Sequence, residues 1–542
     1  MERLCIALCL CTAVFAARAE FKVDRTVMSE KYWEIWNDRV QAKIDADIER
    51  NRKADCEVKV GDEGCVTNGT PVKVEQVGHA FFFGAHIFNF NQLGKKEWND
   101  RYKELYGTLF NSATVAFYWR TLEQYPYAPR FEERYEDTED FWNSYPQPKD
   151  QAHWRRPAPD PVIDFLKTRG VRIHGHPLVW GNNEWHVPTW LWDDFCPESE
   201  KFALEQASGV RLPRRDYRFA VGVKDPPRCF EWSQCWKKIY ERLSEEEIAK
   251  LVPTFVKAQR DFMARRIADI GARYGSRVDS WDVVNESASD WELGAKRSYP
   301  VGESSAKNSL PVTKSWYGLM PANYAYEAIV LARRAMGPKS WLNVNEYNMT
   351  AFPGQVADLA ANGAEFDVVG SQMHLFNPAE SVTIARGEYT GEAARQKIDP
   401  GCIRETFAKI AAAAQGRPIH LSEITITAPD NSARGQMVQA IILRNLYRAW
   451  FAVEKMNGIT WWNVVDDCGA PGEPSISGLF TRDMRPKAAY FAMDDLVNHE
   501  WRTDLTVKAE DGTVRFRGFR GRYRLSWTGA DGAIRSKLVE VR

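Results

Sequence analysis

The sequence predicts an α/β protein: a (β/α)8 TIM barrel with an N-terminal helix and β extension and a small C-terminal β-rich appendage. Three observations predict it. Apolar, β-branched runs of strand length recur along the chain, at His79–Gly84, Ser112–Trp119, Arg172–Trp180, Ser280–Asn285, Trp341–Asn345, Phe366–Gln372, Pro418–Ile424 and Gly458–Val465. Segments of helical periodicity lie between several of them, for example Leu251–Tyr274, Ala322–Met336 and Gln436–Lys455. Alternating strands and helices build a parallel sheet, and the number of runs is that of a closed barrel. The third observation is that the runs end in polar or aromatic clusters, where barrel enzymes keep their chemistry.

The elements follow in order. Residues 1–19 read as an export signal: Arg3, an apolar stretch from Cys5 to Ala16, and Ala17-Arg18-Ala19 before Glu20. The apolar stretch is too short to span a bilayer and no later one approaches ~20 residues, so no membrane span is expected and the chain should be secreted or periplasmic. Residues 20–75 form the extension. Tyr32, Ile35, Trp36, Val40, Ile44 and Ile48 recur at helical spacing, and Glu57 to Gln76 alternates like short strands. Residues 76–497 make the barrel, with long insertions at about 192–247 and 287–321 that follow strand ends and should shape the cleft. Residues 498–542 change to short strands and turns. Phe516 to Tyr523 has alternate aromatics, which suit packing or strand pairing better than sugar stacking.

Composition narrows the partners. With 72 basic against 73 acidic side chains the net charge is −1, so nothing points to nucleic acid. Aromatic residues make up 13% of the chain, enough to supply flat faces for sugar rings as well as core packing. Cys5, Cys9 and Cys11 leave with the signal. Cys56 and Cys65 flank a turn and could be bridged, and Cys196, Cys229 and Cys235 share one insertion where a pair could form; Cys402 and Cys468 stand apart. The spacings match no zinc pattern. A monomer is expected.

Two strand ends organise the rest. Trp281-Asp282-Val283-Val284-Asn285-Glu286 is a short apolar run ending in an amide and a carboxylate, and Pro418-Ile419-His420-Leu421-Ser422-Glu423-Ile424 repeats the device. Two glutamates facing one cleft are the equipment for cleaving a glycosidic bond. Other ends add His174-Gly175-His176-Pro177-Leu178-Val179-Trp180, Asn343 to Asn348 with Tyr347, Gln372-Met373-His374 and Trp461-Trp462-Asn463. His174 and His176 alternate to one side and could share a metal, but two glutamates among amides and indoles need none. Neither a metal nor a cofactor is expected, and there is no G-x-S-x-G serine motif.

These motifs resemble glycoside hydrolase family 10, best known for endo-β-1,4-xylanases, in order and over roughly residues 75–495. They continue with Leu479-Phe480 and Pro486 to Tyr490. The resemblance implies a barrel that retains anomeric configuration, with Glu286 as acid/base and Glu423 as nucleophile. It implies that Asn285 binds the 2-hydroxyl of the reacting sugar, that His374 orients Glu423, and that His176, Trp180, Gln372 and Trp462 line the sugar sites; Tyr347 is a further candidate there. The expected partner is a polysaccharide or oligosaccharide, with β-1,4-xylan first. The family's Glu-Asn…Lys cluster at the second strand is absent, since Thr114-Val115-Ala116-Phe117-Tyr118-Trp119 stands in its place. No acidic residue follows the nucleophile in Thr425-Ile426-Thr427, and the Trp-rich loop after the last strand reads Cys468-Gly469-Ala470-Pro471. These departures leave open a β-glycosidase acting on another sugar or in exo mode, and an inactive carbohydrate-binding barrel.

Overall fold

A computed structural model describes residues 21–542 except 61–65, 152–153, 183–184, 213–225, 294–311, 316–317, 389–394, 396–397 and 471. The export signal, Cys65 and the side chain of Cys229 therefore lie outside the described residues. Strands β1 (Lys53–Lys59) and β2 (Pro71–His79) precede the barrel. The barrel strands are β3 (Phe82–His86), β4 (Ser112–Ala116), β5 (Arg172–His176) with its continuation β6 (Val179–Trp180), and β7 (Ser280–Asn285). A hairpin of β8 (Val312–Ser315) and β9 (Gly318–Pro321) interrupts them. The barrel resumes with β10 (Trp341–Glu346), β11 (Val368–Leu375), β12 (Ile419–Ile426) and β13 (Met456–Trp461). Each pairs in parallel with the next, and β13 returns to β3, so the sheet closes into eight staves with β5 and β6 sharing one.

The strands read as near-continuous apolar runs because helices cover the outer face and side chains fill the interior. β12 is buried along its whole length, and so is β7. Helices Pro253–Tyr274, Tyr324–Met336 and Ala433–Phe451 lie on the outside, within a few residues of the periodic segments. Gly175 in β5 is fixed by a close approach. A Cβ there would come within 2.2 Å of the Trp281 ring, which is fully buried and lies edge-on to Phe117.

Several elements differ from expectation. The single N-terminal helix is two, Glu30–Ile35 and Asp38–Arg52, because the side chain of Asn37 caps a new helix by accepting from the Val40 N–H at 3.1 Å. The first insertion is largely helical, with Glu198–Ser208, Pro226–Arg242 and Glu245–Leu251. The strand expected at His79–Gly84 splits at Ala80-Phe81 into the end of β2 and the start of β3.

The two chain ends build one unit. Strands β14 (Asp504–Lys508), β15 (Thr513–Phe519) and β16 (Gly521–Thr528) pair with the N-terminal strands, and β17 (Ile534–Val541) pairs with β16. β1 pairs with β15, and a second sheet runs β14-β2-β16-β17, all antiparallel. The two sheets enclose a small core of their own that includes Val60, Val72, Val74, Phe516, Tyr523 and Trp527. The aromatics of 516–523 are thus packing residues. The extension and the appendage, separate in the sequence, share this core.

Candidate active site

Both glutamates stand at the mouth formed by the C-terminal ends of the strands. In β7 the ladder to β10 slips by one residue: Asn343 faces Asp282, but Val344 faces Val284. Val283 is therefore an extra residue, and the bulge lets Asp282 and Asn285 lie beside Asn343 and Asn345 although strict alternation would separate them. β12 repeats the device, since Ser371 faces Leu421 while Gln372 faces Glu423, which leaves Ser422 as the extra residue. Glu286 follows at φ +55°, a left-handed conformation unusual for a non-glycine residue. That turn keeps Glu286 at the mouth directly after Asn285, and its N–H is tied to the Asn345 carbonyl at 2.8 Å.

Amides join the two carboxylates. Asn345 Nδ2 donates to Glu423 Oε1 at 2.7 Å and to Asn285 Oδ1 at 2.8 Å. Gln372 Nε2 donates to the same two oxygens at 3.0 and 3.2 Å. The Ser422 hydroxyl holds Asn345 by donating to its Oδ1. Gly370 leaves room for this layer, since a Cβ there would fall 2.7 Å from Asn345 Oδ1. His374 Nε2 lies 3.3 Å from Glu423 Oε2, and its Nδ1 lies 2.9 Å from the Thr425 hydroxyl. Glu346 organises the turn after Glu286, because its buried carboxylate accepts from the N–H groups of Ala288 (2.6 Å), Tyr347 (2.9 Å) and Asn348 (2.9 Å).

Burial and neighbouring carboxylates set the charge. Glu286 is pushed up to about 8, first by burial and then by Glu423, against hydrogen bonds from Gln372, Trp180 and Asn285. Burial raises Glu423 to about 7, opposed by His176 and by the Asn345 amide. Below this layer Asp282 is held well under the usual carboxylate range, against the cost of burial, by His174 and His176, which approach its Oδ2 at 2.9 and 2.8 Å. His176 Nε2 is 3.9 Å from Glu423 Oε1, so this imidazole stands between the buried aspartate and the nearer glutamate. The two histidines therefore do reach one place, and what they share is a carboxylate.

The remaining candidates line the mouth. Trp180 is half-buried. Trp462 is buried, with its ring edge-on to His176 at 5.3 Å and its Nε1 directed to Glu473 Oε1 at 3.3 Å. Tyr347 stands at the rim, 46% exposed. Asp282, Asn343, Asn345, Glu346 and Ser422 stood inside the strand-end motifs without a role of their own, and Glu473 was not singled out from the sequence. Asn343 and Asn345 alternate onto one face, but the bulges that bring Asn285 opposite Asn345 and Glu423 opposite Gln372 leave no trace in the hydropathy pattern.

At the mouth of this closed parallel barrel two proton-affine glutamates are thus joined by amides. The family described as Glycosyl hydrolase family 10 matches residues 241–496, the part that carries both glutamates. Endo-1,4-beta-xylanase C of Paenibacillus barcinonensis is 25% identical over 379 residues, which cover 63% of this chain and 27% of that protein. Endo-1,4-beta-xylanase B of Thermotoga neapolitana is 21% identical over 354 residues, 62% of this chain and 73% of that one. A further relative, endo-1,4-beta-xylanase A of Halalkalibacterium halodurans, is matched over 43% of its length, so the chain spans less than half of two of these three proteins. Among solved structures, a thermostable mutant of a xylanase (Xyn10A) from Cellvibrio japonicus aligns with a TM-score of 0.45 at 19% identity, over 77% of this chain and 97% of that one.

Proposed function

We propose that the chain is a retaining glycoside hydrolase that cleaves β-1,4-xylan, or a closely related β-linked polysaccharide, by double displacement. The observation that carries the reading is the pair Glu286 and Glu423, both raised in proton affinity and joined through Gln372, Asn285 and Asn345. Glu286, raised by burial and by the charge of Glu423, carries the proton, while Glu423 is the ionised partner, steadied by two amide donors and His374.

In the first step a Glu423 oxygen attacks the anomeric carbon, the glycosidic bond breaks, and the Glu286 proton passes to the departing oxygen. The product is a glycosyl ester on Glu423. Neutralising Glu423 removes the repulsion that raised Glu286, which then accepts a proton from water as that water attacks the same carbon. The ester bond breaks and Glu423 regains its charge. Asn285 lies beside Glu286 to bind the 2-hydroxyl of the reacting sugar. Glu346 fixes the turn that carries the acid. His176, Trp180, Gln372, Trp462 and Tyr347 form the surroundings of the sugar, and no cofactor enters any step.

The xylanase names of the relatives support xylan as first substrate. The chain is read as exported from its first 19 residues, and no helix among the described residues is long and apolar enough to cross a membrane. Product analysis tests the reading. Xylan should yield xylo-oligosaccharides whose newly formed ends start in the β configuration, and Glu423→Gln should lower kcat by at least about a thousandfold. Release of the α anomer, or a Glu423→Gln variant with undiminished turnover, overturns it.

A further inference from the structure

One wall of the mouth is built unlike the rest. Phe88, Ala116 and Trp462 form a small apolar cluster apart from the main core, with Tyr118 packed on it. The Tyr118 ring lies 5.5 Å from His176 and 6.2 Å from Trp180, and its hydroxyl is within electrostatic reach of Glu286, Glu423, Glu473 and Arg156. The Arg156 guanidinium sits over Phe88 at 4.3 Å, Tyr118 at 5.4 Å and Trp154 at 5.5 Å.

Three rings thus hold one cation next to the catalytic pair. Among the described residues no carboxylate or carbonyl accepts from this guanidinium, whereas Arg130 and Arg155 nearby are both spent on Asp137. Glu473 is the acid of the wall, and it is already engaged by Trp462, by Asn463 Nδ2 at 3.1 Å and by the Ala470 N–H at 2.8 Å. Lys149 lies within reach of both Glu473 and Arg156 and adds a second positive charge. Arg156 and Lys149 thus set two cations beside the satisfied Glu473, with Asp150 within reach of Lys149.

A planar guanidinium flattened on aromatic faces keeps its edge of N–H donors free, and that edge matches a carboxylate in a two-pronged bond. An uncharged pentose offers it only hydroxyls. The geometry points to Arg156, with Tyr118, as a subsite for a sugar unit that bears a carboxylate, a uronosyl residue, bound beside the bond to be cleaved. This rests on the reading of the mouth as a glycosidase site.

The test separates binding from turnover. Calorimetry on the Glu423→Gln protein would compare xylotriose with the same oligosaccharide carrying a glucuronosyl unit. The acidic ligand should bind on the order of ten- to a hundredfold tighter. That advantage should shrink as salt rises, disappear in the Glu423→Gln/Arg156→Gln double variant and persist in part with Lys at 156. Equal binding of the two ligands, an advantage that survives Arg156→Gln, or no binding of either overturns the subsite. Hydrolysis of neutral xylan by the unaltered protein is read separately. Its loss removes the glycosidase reading, whereas turnover without an acidic preference removes only the subsite.

Discussion

Glu423 and Glu286 meet chemistry and stability at the same atoms. A carboxyl whose affinity for a proton is higher in the folded state than in the unfolded chain binds more protons when folded. Its contribution to stability is full below the unfolded value, near pH 4, and is lost as pH rises through the folded values, about 7 for Glu423 and about 8 for Glu286. Glu423→Gln cannot ionise and escapes that loss. Its melting temperature should exceed that of the unaltered protein by several degrees at pH 8, and the advantage should vanish at pH 4; an equal difference at both pH values would refute the assignment. Activity follows the same pair. Turnover needs one proton shared between the two groups, so kcat/KM should fall on the alkaline side as Glu286 loses its proton, and on the acid side as Glu423 gains one.

At the scale of strands, the positions of the two carboxylates were legible in the sequence, since each closes an apolar run. The layer that joins them was legible only in part. Asn343 and Asn345 alternate as a regular strand should, but Asp282 with Asn285, and His420 with Glu423, are three apart. Only the extra residues Val283 and Ser422 bring the later member of each pair to the mouth. A bulge depends on how two strands share a ladder, which is a long-range property, so no pattern within one strand announces it. The helices of the first insertion were hidden for a related reason. Their apolar faces meet one another and the helix Pro253–Tyr274, as when Trp192 lies 6.0 Å from Trp236 and 4.9 Å from Phe255, and charged residues between them broke the pattern. A strand-level prediction concerns Gly175. Alanine there must displace the Trp281 indole, which is wedged against Phe117 just past the end of β4, on the far side of β5. Gly175→Ala should cost on the order of 1–3 kcal/mol or more, measured by chemical denaturation. Because Trp281 lies near the start of β7, whose end leads directly into Glu286, kcat should fall as well. A variant with unaltered stability would mean that the indole has another place to go.

The whole molecule is held together by a contact between its two ends. β2 lies between β14 and β16, so the N-terminal strand has both of its neighbours in the last 39 residues, and β1 has its partner β15 there too. Arg52, at the junction of the helix Asp38–Arg52 and β1, is buried and donates to the carbonyls of Phe451, Val453 and Met456, which end the helix Ala433–Phe451 and open β13. A guanidinium there satisfies carbonyls that the helix end leaves without partners. The terminal unit therefore grips the stave next to the closure of the barrel, where β13 meets β3. Removing residues 503–542 should consequently not trim an independent module. It would strip both edges from β2, leave β1 unpaired and expose Val60, Val72 and Val74, an arrangement that invites pairing between chains. The shortened protein should be recovered largely as aggregate, and any soluble fraction should melt well below the full chain. Removing residues 21–79 as well takes away the exposed partners. If that double truncation were soluble while the single one aggregated, the unpaired strands would be identified as the cause. A soluble single truncation with undiminished melting temperature would show instead that the barrel does not lean on the terminal unit.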